Sequence, residues 1–331
     1  MGCRSIGLSD QWVFGLLGCR PKGLFDQWVV GLMGCRNKGD LAGRASICEG
    51  CPGQALCQSQ GRVDPDQEMI DIRMNPIKHK ILVMSGKGGV GKSTVGCMLA
   101  QVLASQSCKV GVVDLDICGP SIPKLLSVEE QVVVNTEYGW KTLLSPHNGI
   151  KVMSVGAMLK SDRDSVVFRG PRKTGLIKRF FKDTFWGKLD YLICDTPPGT
   201  SDEHLTAIKV LKNVKPDGAI IVTTSQGVSI ATVRREVNFC RKMGVKILGL
   251  VVNMSTFMCP CCDEVTNIFP EDEIEKLSEE QKIPILARIP IDTRVTACCE
   301  VGRNPVIEHP DSQAIKCMEQ LVKSLSDVIN R

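Results

Sequence analysis

Aromatic side chains are scarce, with 9 Phe, 4 Trp and 2 Tyr in 331 residues. So few rings argue against the stacking platforms that hold single-stranded nucleic acid. No apolar run approaches the roughly 18–20 residues of a membrane span. The apolar runs near the N-terminus are short and broken by Asp10, Arg20 and Asp26. No secretory leader is expected from them, and their acidic residues argue against a transit peptide. The opening Met1-Gly2-Cys3-Arg4-Ser5-Ile6 departs from the myristoylation pattern at Ile6. Neither sign of charge dominates: 41 Lys and Arg against 36 Asp and Glu leave a net +5. Spread along the chain, that excess is weak bait for nucleic acid or a membrane surface.

Cysteine, by contrast, is plentiful, at 17 residues. In a chain with no secretory signal, thiols read as metal ligands or buried side chains rather than disulfides. The chain is also 43% hydrophobic, enough for a large α/β core in one domain or two.

One stretch organises the rest. The apolar run Ile81-Leu82-Val83-Met84 reads as a buried strand and Val95 to Ser105 as a helix. Between them stand Ser85, Gly86, Lys87, Gly88, Gly89, Val90, Gly91, Lys92, Ser93 and Thr94. This is the G-x-x-x-x-G-K-[ST] spacing in the strand–turn–helix setting that a phosphate loop requires. Glycines let backbone N–H groups turn inward on an anion, and the helix N-terminus adds partial positive charge. Lys92 can reach β- and γ-phosphates, and the Ser93 hydroxyl can ligate Mg²⁺.

Acidic residues close two further apolar runs. Val110 to Val113 ends in Asp114-Leu115-Asp116, followed by Gly119-Pro120-Ser121. Leu189 to Cys194 ends in Asp195, a Walker B pattern whose carboxylate holds a Mg²⁺-bound water. Thr196-Pro197-Pro198-Gly199 follows, and the Gly199 N–H is a candidate donor to a γ-phosphate. More buried strands are expected at 218–224, 246–253 and 285–289. No N-K-x-D guanine motif is present, which favours ATP over GTP.

The cysteines fall in patterns. Cys48, Cys51 and Cys57 form C-x2-C-x5-C with no nearby His, a spacing that suits a metal or cluster. Cys35, with twelve residues between it and Cys48, is the natural fourth ligand. Cys259 and Cys262 form a C-x2-C pair in a loop after a strand, with Cys261 read as a bystander. Cys298 and Cys299 are expected on a short helix, as packing or surface residues.

The remainder is organisational. Residues 2–17 recur as 18–33, and a third copy begins at Gly34-Cys35-Arg36 and stops. Two copies are too few for a solenoid. Residues 58–78 are polar, contain Pro65 and Pro76, and read as a linker. Residues 124–149 read as an insertion or hairpin with Asn148-Gly149 as its turn. The basic run Arg169 to Lys173 opens a helix and reads as a solvated face, with phosphate or partner contact as the rival. The last helix carries Ile315, Met318, Leu321, Val322 and Leu325 on one stripe, read as packing against the sheet rather than on a membrane.

The double-lysine loop, the D-x-D-x-x-G-P-S run, the D-T-P-P-G-T-S-D-E-H run from Asp195 to His204 and the two cysteine clusters resemble the Mrp/NUBP family. These are Fe–S scaffold ATPases of the MinD/ParA class with a deviant Walker A loop. The resemblance covers about residues 45–325. It implies a doubly wound α/β fold, with a mostly parallel sheet of seven or eight strands and an irregular N-terminal cysteine-bearing arm. Expected boundaries are a disordered repeat at 1–34, an Fe–S arm and linker at 35–78 and an ATPase domain at 79–331.

It also implies roles. Lys87 reaches a partner's nucleotide across an ATP-sandwich dimer, and Asp116 orients the attacking water. Asp114 sits near Mg²⁺, Asn253 reads the adenine edge, and Pro290 begins the loop near the base. The family's first cysteine gap is usually one residue longer than here, which leaves Cys35 and Cys19 as alternatives. The implied cofactors are ATP, Mg²⁺ and two [4Fe–4S] clusters, one in the arm and one bridging a dimer through Cys259 and Cys262. The implied partners are a second copy or a related scaffold ATPase in a heterotetramer, with apo Fe–S clients and targeting factors. Nucleic acid and stable membrane association are not expected, and the location is cytoplasmic or also nuclear. Rival readings are a MinD/ParA-type positioning switch and a zinc-binding ATPase module.

Overall fold

Parallel strands covered on both faces must be apolar throughout, and the chain supplies them. β1 (Ile77–Met84) runs buried from Lys80 to Met84. Its side chains alternate: Ile81 and Val83 point into one hydrophobic cluster, Leu82 and Met84 into another. The structure is a computed structural model that describes residues 66–158, 170–259, 261, 262 and 264–330. The repeat, Cys19, Cys35, Cys48, Cys51 and Cys57 lie outside the described residues.

Going along the chain, α1 (Gln67–Met74) precedes β1, and α2 (Lys92–Ser105) leads to β2 (Val110–Asp114). Short α3 (Ile122–Leu125), β3 (Val134–Thr136), β4 (Gly139–Lys141), β5 (Leu143–Leu144) and β6 (Lys151–Met153) follow. Then come α4 (Gly170–Lys182), β7 (Thr184–Phe185), β8 (Leu189–Asp195), α5 (Asp202–Leu211), β9 (Gly218–Thr223) and α6 (Gly227–Met243). The last part holds β10 (Ile247–Met258), β11 (Val265–Asn267), α7 (Asp272–Gln281) and β12 (Ile285–Ile291). It ends with α8 (Thr293–Glu300), α9 (Pro305–Glu308) and α10 (Gln313–Ile329).

The main sheet has nine strands in the order β11-β10-β9-β1-β8-β2-β6-β5, with β12 also on β10. Only β11 on β10 and β5 on β6 run antiparallel. The doubly wound, mostly parallel sheet expected from the sequence is therefore present, with one or two more strands. On one face α2 and α10 bring Leu99, Leu103, Ile315, Met318, Leu321 and Leu325 onto Val83, Val112, Ile193 and Val251. The α10 stripe is thus spent on the core. On the other face α4 and α5 bring Phe180, Phe181, Ile208 and Leu211 onto Leu82, Met84, Leu192 and Cys194.

Two local differences from expectation have physical causes. The polar stretch 58–78 is not all linker: α1 forms within it because Ile70 and Met74, one turn apart, are both fully buried. The 124–149 insertion supplies β3 and β4 to a separate three-stranded sheet that β7 completes, besides the expected turn. That turn closes through Gly149 N–H to the Ser145 carbonyl at 3.0 Å, with Gly149 at φ +63°.

Candidate nucleotide and thiol sites

The loop from Ser85 to Gly91 leaves β1 at its C-terminal end and enters α2 directly. Gly91 adopts φ +81°, and a Cβ there would also collide with the Asn253 amide. A Cβ on Gly86 would stand 2.7 Å from backbone of Thr232 on α6. Gly89, at φ +80°, faces open space with nothing within 4 Å of its Cβ position. Two glycines therefore let the loop pack tightly behind, and one leaves its front free for a ligand. The front opens on a cavity of about 400 Å³ lined by Lys87, Gly88, Gly89, Lys92, Ser93 and Asp116 among others.

Lys92 Nζ lies 2.6 Å from Asp195 Oδ1, and Ser93 Oγ donates to Asp195 Oδ2 at 2.6 Å. Asp195 is fully buried, and burial raises its pKa while the Lys92 charge opposes the rise. Asp114, on the neighbouring strand, pairs in register with Asp195. It accepts from Ser154 Oγ at 2.9 Å and from the Asp116 N–H at 3.1 Å. Burial first, and the Asp195 charge second, push Asp114 up to about 8. With one lysine against two buried carboxylates, Asp114 keeps its proton near pH 7, and a divalent cation would supply the charge that lets both carboxylates ionise. The residues present fit Mg²⁺ at Ser93 with Asp195 and Asp114 behind it.

This sets a pH dependence. The Asp114 pKa is higher in the folded chain, about 8, than its ordinary 3.8. Above pH 4 the unfolded chain releases that proton and the folded chain keeps it, so stability falls as pH rises until about 8. Asp114→Asn should flatten this fall in the melting temperature of the nucleotide-free protein. An unchanged slope between pH 5 and 8 would contradict the assignment.

Other expected site residues are placed less simply. Lys87 is exposed at the cavity mouth. Gly199 sits at φ +76°, and its N–H is already given to the Ser85 carbonyl at 2.7 Å. Asn253 donates its amide to the Val90 carbonyl at 2.9 Å, so in this arrangement it props the loop from behind. Pro290 lines a different cavity, of about 790 Å³, with Ser255, Arg288 and Asp292. Within the basic run Arg172 is exposed, whereas Lys173 is engaged: its Nζ bridges Glu203 Oε1 at 2.8 Å and Cys118 Sγ at 2.9 Å. It thereby ties the Asp114–Ser121 segment to the start of α5.

A buried pair behind α5 was not legible in the sequence. His204 and Glu236 lie 4.0 Å apart, both almost fully buried. Burial pushes His204 down to about 4 and Glu236 up to about 8, so both are neutral near pH 7. The only sequence signal was His204 in the N3 position of α5, where it completes a capping box with Ser201.

The C-x2-C pair stands at the tip of a hairpin. β10 and β11 pair from Thr256–Asn267 to Met258–Val265, and the Cys259 N–H donates to the Glu264 carbonyl at 2.9 Å. Cys259 is half-buried and Cys262 exposed. Backbone N–H groups of Cys261 and Cys262, then the Cys262 thiol, hold Cys259 below the usual thiol range. A sulfur already receiving N–H donors is prepared to act as thiolate ligand. Among the described residues, no third donor joins Cys259 and Cys262 in a three-ligand group.

With the loop, both acidic strand ends and the thiol hairpin in place, comparison with known proteins is decisive. The profile of the NUBPL iron-transfer P-loop NTPase family matches residues 76–326. The chain belongs to that family. It is a P-loop ATPase of this iron-transfer group by sequence and by fold. A nucleotide-binding protein of Archaeoglobus fulgidus, solved in complex with ADP, is 39% identical, with 72% of this chain and 92% of that one covered and a TM-score of 0.64. Two MinD proteins share the fold alone. One is from Pyrococcus horikoshii with Mg-ADP, at 20% identity, 76% and 98% coverage and TM-score 0.53. The other, from Aquifex aeolicus in a MinC:MinD complex, has 18% identity, 75% and 96% coverage and TM-score 0.55.

Proposed function

We propose that the chain is an ATP-dependent scaffold that assembles [4Fe–4S] clusters and transfers them to cytosolic and nuclear apo-proteins. The observation that carries this reading is β10: one strand joins Asn253, which props the phosphate loop, to the thiol hairpin at Cys259. A nucleotide-dependent movement of the loop thus has a direct structural neighbour in the cluster ligands. ATP with Mg²⁺ supplies the anion and cation that the Lys92, Ser93, Asp114 and Asp195 group lacks. Asp116, at the cavity edge, orients the water for hydrolysis. The arm cysteines Cys48, Cys51 and Cys57, with Cys35, hold a second, stable cluster within one chain. A second copy or a related ATPase supplies the other half of the thiol site and receives Lys87 at its nucleotide. Membrane attachment is not part of this reading: the α10 stripe is buried, and no helix among the described residues is long and apolar enough to cross a membrane.

Anaerobic purification tests it. A brown protein with broad visible absorption and matched iron and sulfide is expected; a colourless zinc protein overturns the reading. Deleting residues 1–33 should leave the arm iron in place. Loss of iron in that truncation would move the fourth ligand from Cys35 to Cys19 or Cys3.

Lys87→Ala should keep nucleotide binding within a few-fold while turnover falls by an order of magnitude or more, as expected of a group acting on a partner's transition state. Titration calorimetry beside a phosphate-release assay separates the two. Equal loss of binding and turnover would assign Lys87 to its own chain's phosphates.

A further inference from the structure

Away from both sites, three donors of different chemistry meet where α8 turns into α9. Cys298 lies in the last turn of α8 and is 4% exposed. Glu308 ends α9, and His309 is its C-cap. One atom from each, a thiol sulfur, a carboxylate oxygen and an imidazole nitrogen, lie within 4.8 Å of one another. The thiol is 3.5 Å from Glu308 Oε2.

The backbone fixes these positions. The Arg303 N–H donates to the Cys298 carbonyl at 2.9 Å, folding the chain back after α8. Asn304 caps α9 by accepting the Val306 N–H at 3.0 Å. The His309 N–H then donates to the Pro305 carbonyl at 2.9 Å.

We propose that Cys298, Glu308 and His309 form a binding site for a divalent transition metal, with zinc the best fit. Thiolate, imidazole and carboxylate are zinc's own ligand set, whereas calcium and magnesium require oxygen throughout. At zinc bond lengths of about 2.0–2.3 Å, tetrahedral donors stand roughly 3.5 Å apart. The trio needs to close by about an ångström to reach that spacing. Three protein ligands leave the fourth position to water or an incoming donor. The competing partner is Arg303, whose guanidinium lies 3.7 Å from Glu308 Oε2. It is exposed and can yield to a metal.

The site bears on the nucleotide cavity through α8. Cys299 and Glu300, the next two residues, line that cavity. A metal at Cys298 would clamp the end of α8 to α9 and so stiffen one cavity wall.

The test uses the full chain, dialysed anaerobically against limiting free Zn²⁺, with bound metal counted by elemental analysis. Because other cysteines also take zinc, the difference between proteins is the readout. Glu308→Gln and His309→Gln should each lose one equivalent per chain, and Cys299→Ser should lose none. With Co²⁺ as probe, Cys298→Ser should lose one thiolate-to-metal absorption increment. Glu308 is exposed and His309 half-buried, so both variants should keep the circular dichroism of the unaltered chain even if Cys298→Ser fails to fold. Retention of the full zinc count, at unchanged affinity, by both the Glu308 and His309 variants overturns the proposal.

Discussion

Lys92→Ala is expected to lower nucleotide affinity by roughly 25-fold or more. Truncating one partner of a buried, hydrogen-bonded charge pair costs about 2–5 kcal/mol, and each 1.4 kcal/mol is tenfold in affinity. Lys92 is paired with Asp195, with side-chain exposures of 7% and 1%. Phosphate must draw the ammonium from that carboxylate, so the lysine acts on both halves of the site. Without it, Asp195 keeps only the Ser93 hydroxyl, and burial then drives it toward its protonated form. A protonated Asp195 is a poor neighbour for Mg²⁺. The variant should therefore fold yet fail to bind, and the deficit should deepen as pH falls. Calorimetric titration with Mg-ADP at two pH values, with circular dichroism as the folding control, measures this. Affinity within a few-fold of the unaltered protein would remove Lys92 from the phosphate site.

Cys259→Ser/Cys262→Ser should remove one [4Fe–4S] cluster per dimer while nucleotide binding stays unchanged. A cubane takes about four thiolates, and one hairpin offers two. A two-fold axis presents the same hairpin twice, so two C-x2-C pairs complete the set. The hairpin tip suits this: Cys262 is exposed, and Phe257, Met258 and Val265 beside it are exposed apolar side chains. Such a surface cluster should be labile, whereas iron in the arm should survive chelation. Iron and sulfide per chain, with the mass of the assembly measured alongside, give the answer. A double variant that keeps all its iron would refute the shared cluster, as would equal dependence on Cys298 and Cys299.

What could be read in advance was what is local. The phosphate loop is one run of ten residues, and its strand and helix are set by neighbours in sequence. Asp114 and Asp195 were recognisable because each ends an apolar run. What those carboxylates do to one another was not, since their register across β2 and β8 joins residues 81 apart in sequence. The same holds for Lys173, whose partners Cys118 and Glu203 come from opposite sides along the chain. His204 and Glu236 meet only because α5 and α6 pack. The helix at 67–74 carries little sequence signal, because prolines flank it and only Ile70 and Met74 are fully buried. The resemblance implies that Asn253 reads a base, whereas its hydrogen bond to Val90 depends on how closely β10 approaches the loop.

That approach bears on how this sequence can vary. Position 91 is restricted twice, by a backbone angle that L side chains rarely adopt and by the Asn253 amide filling the space a side chain would need. Shortening residue 253 would lift the second restriction and leave the first. A substitution library at position 91 should therefore return glycine whatever stands at 253. At 253, by contrast, a side chain must both fit under glycine and donate to a carbonyl. The two positions form a lock with one fixed half, and drift in this loop has to begin from the asparagine.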